Sequence, residues 1–178
     1  MNSRWRYLGT FAVLAVVASG CGGSGDKAFS TPTYAYSFNY PGTWTLTRNT
    51  GEGGSGMRSV SVALKEPFDQ ATITQYKLKK TLPKGVNGNQ AEVDRIVKAL
   101  TRQAKGSASD GKPVKFGGLP GYQYVVHYPA GGGVKLANKL TFLFRGADEF
   151  QISCQSSPSH THELNDGCDQ ILESLKFK

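Results

Sequence analysis

Apolar and polar positions alternate along most of this chain, the two-residue period of strands that bury one face. Tyr34, Tyr36, Phe38 and Tyr40 take every second place in the first such run, and Pro41-Gly42 then turns the chain into Trp44. A glycine-rich loop, 51–56, separates this from a second strand on Val60, Val62 and Leu64, and 71–78 forms a third. The turn-rich stretch 82–89 offers Asn87 or Asn89 as a helix cap. The period then lengthens: Val93, Ile96, Val97, Leu100 and Ala104 recur at helical spacing, with Asp94, Arg95, Lys98 and Arg102 off that stripe. A polar loop over 106–112 ends the helix, and strand character returns at 114–116 and 122–128 around a turn at 117–121. After a further turn at 131–133, Leu140, Phe142 and Phe144 lead through Gly146-Ala147-Asp148 into Phe150, Ile152 and Cys154, the pattern of a hairpin. The last helix presents Leu164, Cys168, Ile171, Leu172 and Leu175 on one face. These elements predict an α+β domain, a central antiparallel sheet with helices packed on it.

The first 20 residues follow another grammar. Arg4 and Arg6 precede an apolar run from Leu8 to Val17, and Ala18-Ser19-Gly20 leads into Cys21. A run this short fits a secretory leader, because a spanning helix needs ~20 apolar residues. The small-small-Cys ending resembles the lipobox of bacterial lipoproteins, which implies a diacylated Cys21 at a new N-terminus. Ala18 stands where leucine is commoner, so cleavage without lipidation remains the alternative. The chain then divides into a signal peptide, 1–20, a lipidated N-terminus and flexible tether, 21–32, and one folded domain, 33–178. A coil of about 11 residues reaches roughly 18 Å.

Charge and cysteine usage narrow the partners. The leader holds two of the 21 basic residues and none of the 13 acidic ones, leaving 19 against 13, a net +6. That balance suits an anionic membrane surface. Nucleic acid is set aside, since an exported chain has little access to it. Cys154 and Cys168 are an even pair outside the anchor, and both fall on faces that point into the core. A disulfide between them staples the last helix to the sheet and contributes ~3 kcal/mol in the chain-entropy model. A redox-active pair is the alternative, without the Cys-x-x-Cys spacing that such chemistry uses.

Candidate chemistry is sparse. His160, His162, Glu163 and Asp166 have the residue types of a zinc site. Their place at a helix start, with Ser159 and Thr161, reads more simply as capping. His127 lies on a strand face with Gln123 and Val125 and reads as a surface histidine. Gly53-Gly54-Ser55-Gly56 lacks the strand before and helix after that a nucleophile elbow requires, and Asp148-Glu149 reads as a solvated turn. No active site and no cofactor site is assembled. The tyrosine rows offer more. Tyr34 to Tyr40 share one face and Tyr122, Tyr124, Val126 and Tyr128 another. Such rows pack under helices, or line a cleft that is apolar with a few convergent hydroxyls. Tyr124 and Tyr128, beside a glycine-rich loop, are the candidate ligand-binding residues. Lys77, Lys79, Lys80 and Lys84, with Arg95, Lys98 and Arg102, read as a solvated face or a contact for an anionic lipid or a partner protein.

Three motifs carry a resemblance. Tyr36 to Trp44 (YSFNYPGTW) is similar to the F-x-Y-P-x-x-W opening of the PsbP-like superfamily. The Gly118-Leu119-Pro120-Gly121-Tyr122 turn and the ending from Ile171 to Phe177 also fit, so the resemblance covers most of 34–177. It implies an α/β/α sandwich, a central antiparallel sheet between helices. Members are mostly non-enzymatic, among them an extrinsic photosystem II subunit, a Ran-binding transport factor and many bacterial, notably actinobacterial, lipoproteins. Nothing here carries the photosynthetic role over. The expected function is a non-enzymatic, membrane-anchored extracytoplasmic module binding an envelope protein, lipid or glycolipid. The rival is an extracytoplasmic hydrolase or metal-dependent enzyme.

Overall fold

The structure, a computed structural model, describes residues 25–50, 57–65, 67–78 and 90–178. The leader, Cys21, the loop at 51–56, Lys79, Lys80, Lys84 and both candidate caps, Asn87 and Asn89, lie outside the described residues. Among the described residues, eleven strands and two α-helices follow in the order β1 (Lys27–Ser30), β2 (Tyr36–Tyr40), β3 (Thr45–Thr50), β4 (Arg58–Lys65), β5 (Asp69–Lys77), α1 (Gln90–Gln103), β6 (Ser107–Ala108), β7 (Lys112–Phe116), β8 (Leu119–Pro129), β9 (Lys135–Arg145), β10 (Asp148–Ser156), α2 (Thr161–Ser174) and β11 (Lys176–Phe177). The large sheet runs β3-β4-β5-β10-β9-β8-β6, with β7 also paired to β8, and the small one runs β1-β2-β11. Every pairing is antiparallel. This is the α+β sandwich that the patterning predicts.

Alternation explains the layers. On β10, Phe150, Ile152 and Cys154 are buried while Gln151, Ser153 and Gln155 are partly exposed. The buried set meets Ile73 of β5, Val60 and Val62 of β4, and the inner faces of α2 and the small sheet. Within this core the Tyr36 ring stands edge-on to Phe150 at 6.0 Å, and its hydroxyl donates to the Ile73 carbonyl at 3.1 Å. Burial raises the Tyr36 phenol far above its usual range, so it stays a neutral donor. The second core lies on the opposite side of the large sheet, where Val93 and Val97 of α1 meet Tyr122, Tyr124, Leu140 and Phe142.

Cys154 and Cys168 are bonded, with Sγ atoms 2.06 Å apart, so α2 is tied covalently to β10. The Pro-Gly-Thr-Trp turn has a packing role in the same layer. The Trp44 amide donates to the Pro41 carbonyl at 3.0 Å, and the indole lies over Gly167 of α2. A β-carbon at Gly167 would stand 2.4 Å from the Trp44 ring and 3.0 Å from Pro41. The motif that carries the resemblance is thus a seat for α2.

Several expectations need correction. Lys27–Ser30, read as part of the tether, is strand β1 paired with β2, and Phe29 is buried against Tyr34 with ring centroids 5.1 Å apart. β3 precedes the 51–56 segment, where no strand was expected, while β4 follows it as the alternation of Val60, Val62 and Leu64 predicts. The turn at 117–121 shrinks to Gly117-Gly118, since β8 begins at Leu119. On α1 the buried residues are Val93, Val97 and Thr101, whereas Leu100 is 50% exposed and Ala104 is exposed. A helix lying on the narrow edge formed by β8 and β6 buries only every fourth residue, and Thr101 fits that spacing because its hydroxyl donates to the Val97 carbonyl at 2.9 Å. Leu175 remains buried although α2 ends one residue earlier.

Candidate functional site

β8 supplies the floor of the candidate site. Tyr122, Tyr124 and Val126 are buried under α1, and Tyr128 is half-buried beyond its end. The Tyr124 ring stands edge-on to Phe142 at 6.1 Å, and its hydroxyl donates to Asp94 Oδ1 at 2.6 Å. Burial first, then the Asp94 carboxylate, drives the Tyr124 phenol well above its ordinary range, so the pair is a locked hydrogen bond. Gly111 makes room for it, since a β-carbon there would meet the hydroxyl at 2.5 Å. Tyr122, 1% exposed, has no partner for its hydroxyl among the described residues, and burial raises it too.

Two clefts flank α1. One, of about 300 Å³, lies between Lys98 and Arg102 of α1 and Ser109-Asp110 after β6, with the Tyr124–Asp94 pair at its floor. The other, of about 150 Å³, lies between Leu100 and Thr101 and the open sheet, where Tyr128, Asn138 and Gln151 meet it. Tyr128 donates its hydroxyl to Gln155 Oε1. The two candidate tyrosines therefore share a strand face and serve different clefts. The row from Tyr34 to Tyr40 serves neither, since it is buried in the α2 core. On α1, Arg95 pairs with Glu92 at 2.6 Å, while Lys77 on β5 pairs with Asp148 at 3.2 Å.

Sequence reasoning missed two groupings. Asp94, placed only off the apolar stripe of α1, is the partner of Tyr124. The signal for it was that tyrosine itself, because a buried phenol needs an acceptor. The second grouping brings Ser157, His160 and Asp69 together. His160 Nδ1 lies 3.0 Å from Asp69 Oδ2 and 3.2 Å from Ser157 Oγ. In a hydrolytic triad the two contacts use different ring nitrogens, so that the imidazole passes a proton between them. Here both fall on Nδ1, and Asp69 takes the Ser157 hydroxyl directly at 3.0 Å and its amide at 2.6 Å. The cluster ties β5 to the start of α2. It also replaces the expected cap: the N-cap residue is His160, without a side-chain capping bond, and the Thr161 hydroxyl donates back to the Ser157 carbonyl.

The remaining candidates are placed plainly. His162 pairs with Asp166 at 2.9 Å on the open face of α2, and among the described residues no three His, Cys, Asp or Glu side chains are grouped to hold a metal. His127 is exposed. Asp148-Glu149 is not a solvated turn: Gly146-Ala147 makes the turn and both acids sit on β10. Asp148 accepts from Gln75 and Lys77, each at 3.2 Å. Glu149 lies in register between Phe144 and Tyr76, and burial raises its carboxyl pKa.

This architecture, a large antiparallel sheet with a helix on each face, is a PsbP-like α+β fold. The solution structure of cyanobacterial PsbP (CyanoP) from Synechocystis sp. PCC 6803 superposes with a TM-score of 0.59 at 16% identity, over 90% of this chain and 99% of that one. A crystal structure from Bacteroides thetaiotaomicron gives 0.54 at 16% identity, over 85% of this chain and 48% of that one. LpqN, involved in cell envelope biogenesis of Mycobacterium tuberculosis, gives 0.47 at 16% identity, over 80% and 83%. No protein-family model matches the chain, and no curated protein does. Likeness at such identities shows the fold alone.

Proposed function

We propose that the protein is a non-enzymatic binding module, held at the extracytoplasmic face of a membrane by lipid on Cys21, with an envelope protein, lipid or glycolipid as its partner. The observation that carries this is the Tyr124–Asp94 pair at the floor of the larger α1 cleft. Its hydrogen bond fixes the floor and spends the Tyr124 hydroxyl and the Asp94 carboxylate on one another, which suits recognition by a preorganised surface. The Ser157, His160 and Asp69 cluster supports the same reading, because its groups are spent on one another. The disulfide suits an oxidising compartment. No helix among the described residues is long and apolar enough to cross a membrane, and in this reading the attachment is the lipid on Cys21. Two acyl chains supply it, at ~0.8 kcal/mol per buried methylene. With β1 starting at Lys27, the stretch after Cys21 reaches at most about 20 Å even when fully extended.

The test places a photocrosslinker at Lys98, at the rim of the cleft, in protein expressed in its native envelope. A defined partner captured from Lys98, and not from an equivalent probe at Glu173 on α2, supports the reading. Equal capture from both positions sinks the cleft as the site. An intact mass without acyl chains on Cys21 sinks the anchor.

A further inference from the structure

The sheet face under α1 continues past the helix, over β10, β5, β4 and β3. Register sets Thr47, Ser61, Thr72 and Ser153 in one row across those four strands. The next row holds Ser59, Thr74 and Gln151, and Gln70 and Gln155 lie on the other side. All are at least partly exposed, while the alternating residues Val60, Ile73 and Ile152 are in the core. Neighbouring strands are ~4.8 Å apart, so each row is a line of hydroxyl or amide groups at that spacing.

The composition of this face is unusual for a solvated sheet in a chain with 21 basic and 13 acidic residues. Among the described residues of these four strands, those on this face include no Lys, Arg or Asp, and Glu149 at one end is the only acid. The hydroxyls are also oriented. Ser61 Oγ and Thr72 Oγ1 are 2.8 Å apart, and Asn138 Nδ2 donates to Ser153 Oγ at 2.9 Å. Where the rows meet α1 they run into the 150 Å³ cleft, whose wall is apolar through Leu100 and Val126 and whose polar atoms are the neutral ones of Tyr128, Asn138 and Gln151.

We infer that this face binds a neutral polysaccharide, one sugar ring seated in the cleft beside α1 and the following rings laid over the hydroxyl rows. Sugar rings have an apolar C–H face and an equatorial rim of hydroxyls, which the Leu100 wall and the Gln151 and Asn138 amides meet respectively. The cleft is smaller than the ~300 Å³ at which pockets for drug-sized ligands begin, so the rest of the chain lies on the open rows. An acyl chain finds these rows too polar, and an anionic ligand finds no cation on them. The inference rests on the binding-module reading and adds to it a second site, across α1 from the Tyr124 cleft, with its ligand class. A tether on β1, in the layer with α2, leaves this opposite face turned to the surroundings.

The test titrates the mature chain carrying Cys21→Ser with β-1,4-linked and α-1,4-linked glucohexaose, and with polyglucuronate as the charged control, followed by calorimetry. Saturable binding to a neutral hexamer is expected, weakened about fivefold to tenfold by Gln151→Ala and by Thr74→Val, the loss of about one hydrogen bond each. Thr74→Val keeps shape and strand preference, so an unchanged melting temperature certifies its fold. Glu173→Ala, on α2 in the opposite layer, should leave the affinity within about twofold. The inference is overturned if no neutral hexamer binds at millimolar concentration, if both face variants bind as wild type does, or if only polyglucuronate binds and Lys98→Ala abolishes it. Failure to bind while the Lys98 crosslink persists removes the polysaccharide and leaves the binding module. Release of new reducing ends, blocked by Gln151→Ala, keeps the face as a carbohydrate site and overturns the non-enzymatic reading.

Discussion

Replacing Gly167 by alanine opposes two effects of known size. In an exposed helix the change stabilises by about 1 kcal/mol, because alanine loses less conformational freedom. In α2 the added carbon would stand 2.4 and 2.5 Å from two atoms of the Trp44 ring, where ordinary contact begins near 3.4 Å. The indole has nowhere to go: it is 2% exposed, and Pro41 closes the other side of the same glycine. Overpacking of this kind costs about 1–3 kcal/mol, so the clash outweighs the helix gain by about 1 kcal/mol. For a domain of this size that lowers the melting temperature by about 2–4 °C. The assay is a thermal melt followed by circular dichroism and by tryptophan fluorescence, which reports Trp44 alone in a chain begun at Cys21, since the other tryptophan is Trp5. In a Trp44→Leu background the same substitution should become neutral or stabilising. A rise in melting temperature from Gly167→Ala in the wild-type background would refute the close approach as the reason for glycine.

Three further outcomes are expected. The double variant Cys154→Ala, Cys168→Ala should lose ~3 kcal/mol and melt about 6–12 °C lower while keeping its circular dichroism spectrum; ready alkylation of both thiols in the unreduced native protein would contradict the bond. Glu149→Gln should be more stable than wild type at pH 7.5 and equal to it near pH 3.5 in urea unfolding. The carboxyl is raised by burial, so its contribution is complete below the unfolded value of about 4.3 and is lost as pH climbs through the folded one. A gap that persists in acid would show that packing, not charge, is responsible. Asp69→Ala should cost about 1–3 kcal/mol by orphaning the buried Ser157 amide and hydroxyl, with faster hydrogen exchange at the Ser157 amide; unchanged exchange there would count against the lock.

The elements legible in the sequence are those with one fully buried face. β2, β4, β5, β10 and α2 all show their period in the chain, because each contributes two or more buried apolar residues to the larger core. β1 contributes only Phe29, and β3 (TLTRNT) has Leu46 as its single apolar residue, so both are strands by pairing and not by pattern. The α1 stripe was misread at Leu100 for a related reason: the narrow edge beneath it selects every fourth residue, and Thr101 meets that spacing. In the site, the tyrosine row of β8 was visible and its partners were not. Asp94 is 30 residues from Tyr124, and Asp69 is 88 from Ser157. Hydrogen bonds across such separations leave no local period to read.

The small sheet is completed by the last residues of the chain. β11 pairs Lys176 and Phe177 with Ser37 and Tyr36, and the Lys178 amide donates to the Ala35 carbonyl at 2.9 Å. A nascent chain leaving the ribosome therefore leaves that edge of β2, with its row of aromatic side chains, unpaired until β11 has been made. Contacts of such long sequence separation close late and slowly. Until then the aromatic strand is a hazard for self-association. A polypeptide truncated after Leu175 keeps both helices and the whole large sheet, yet leaves that edge open.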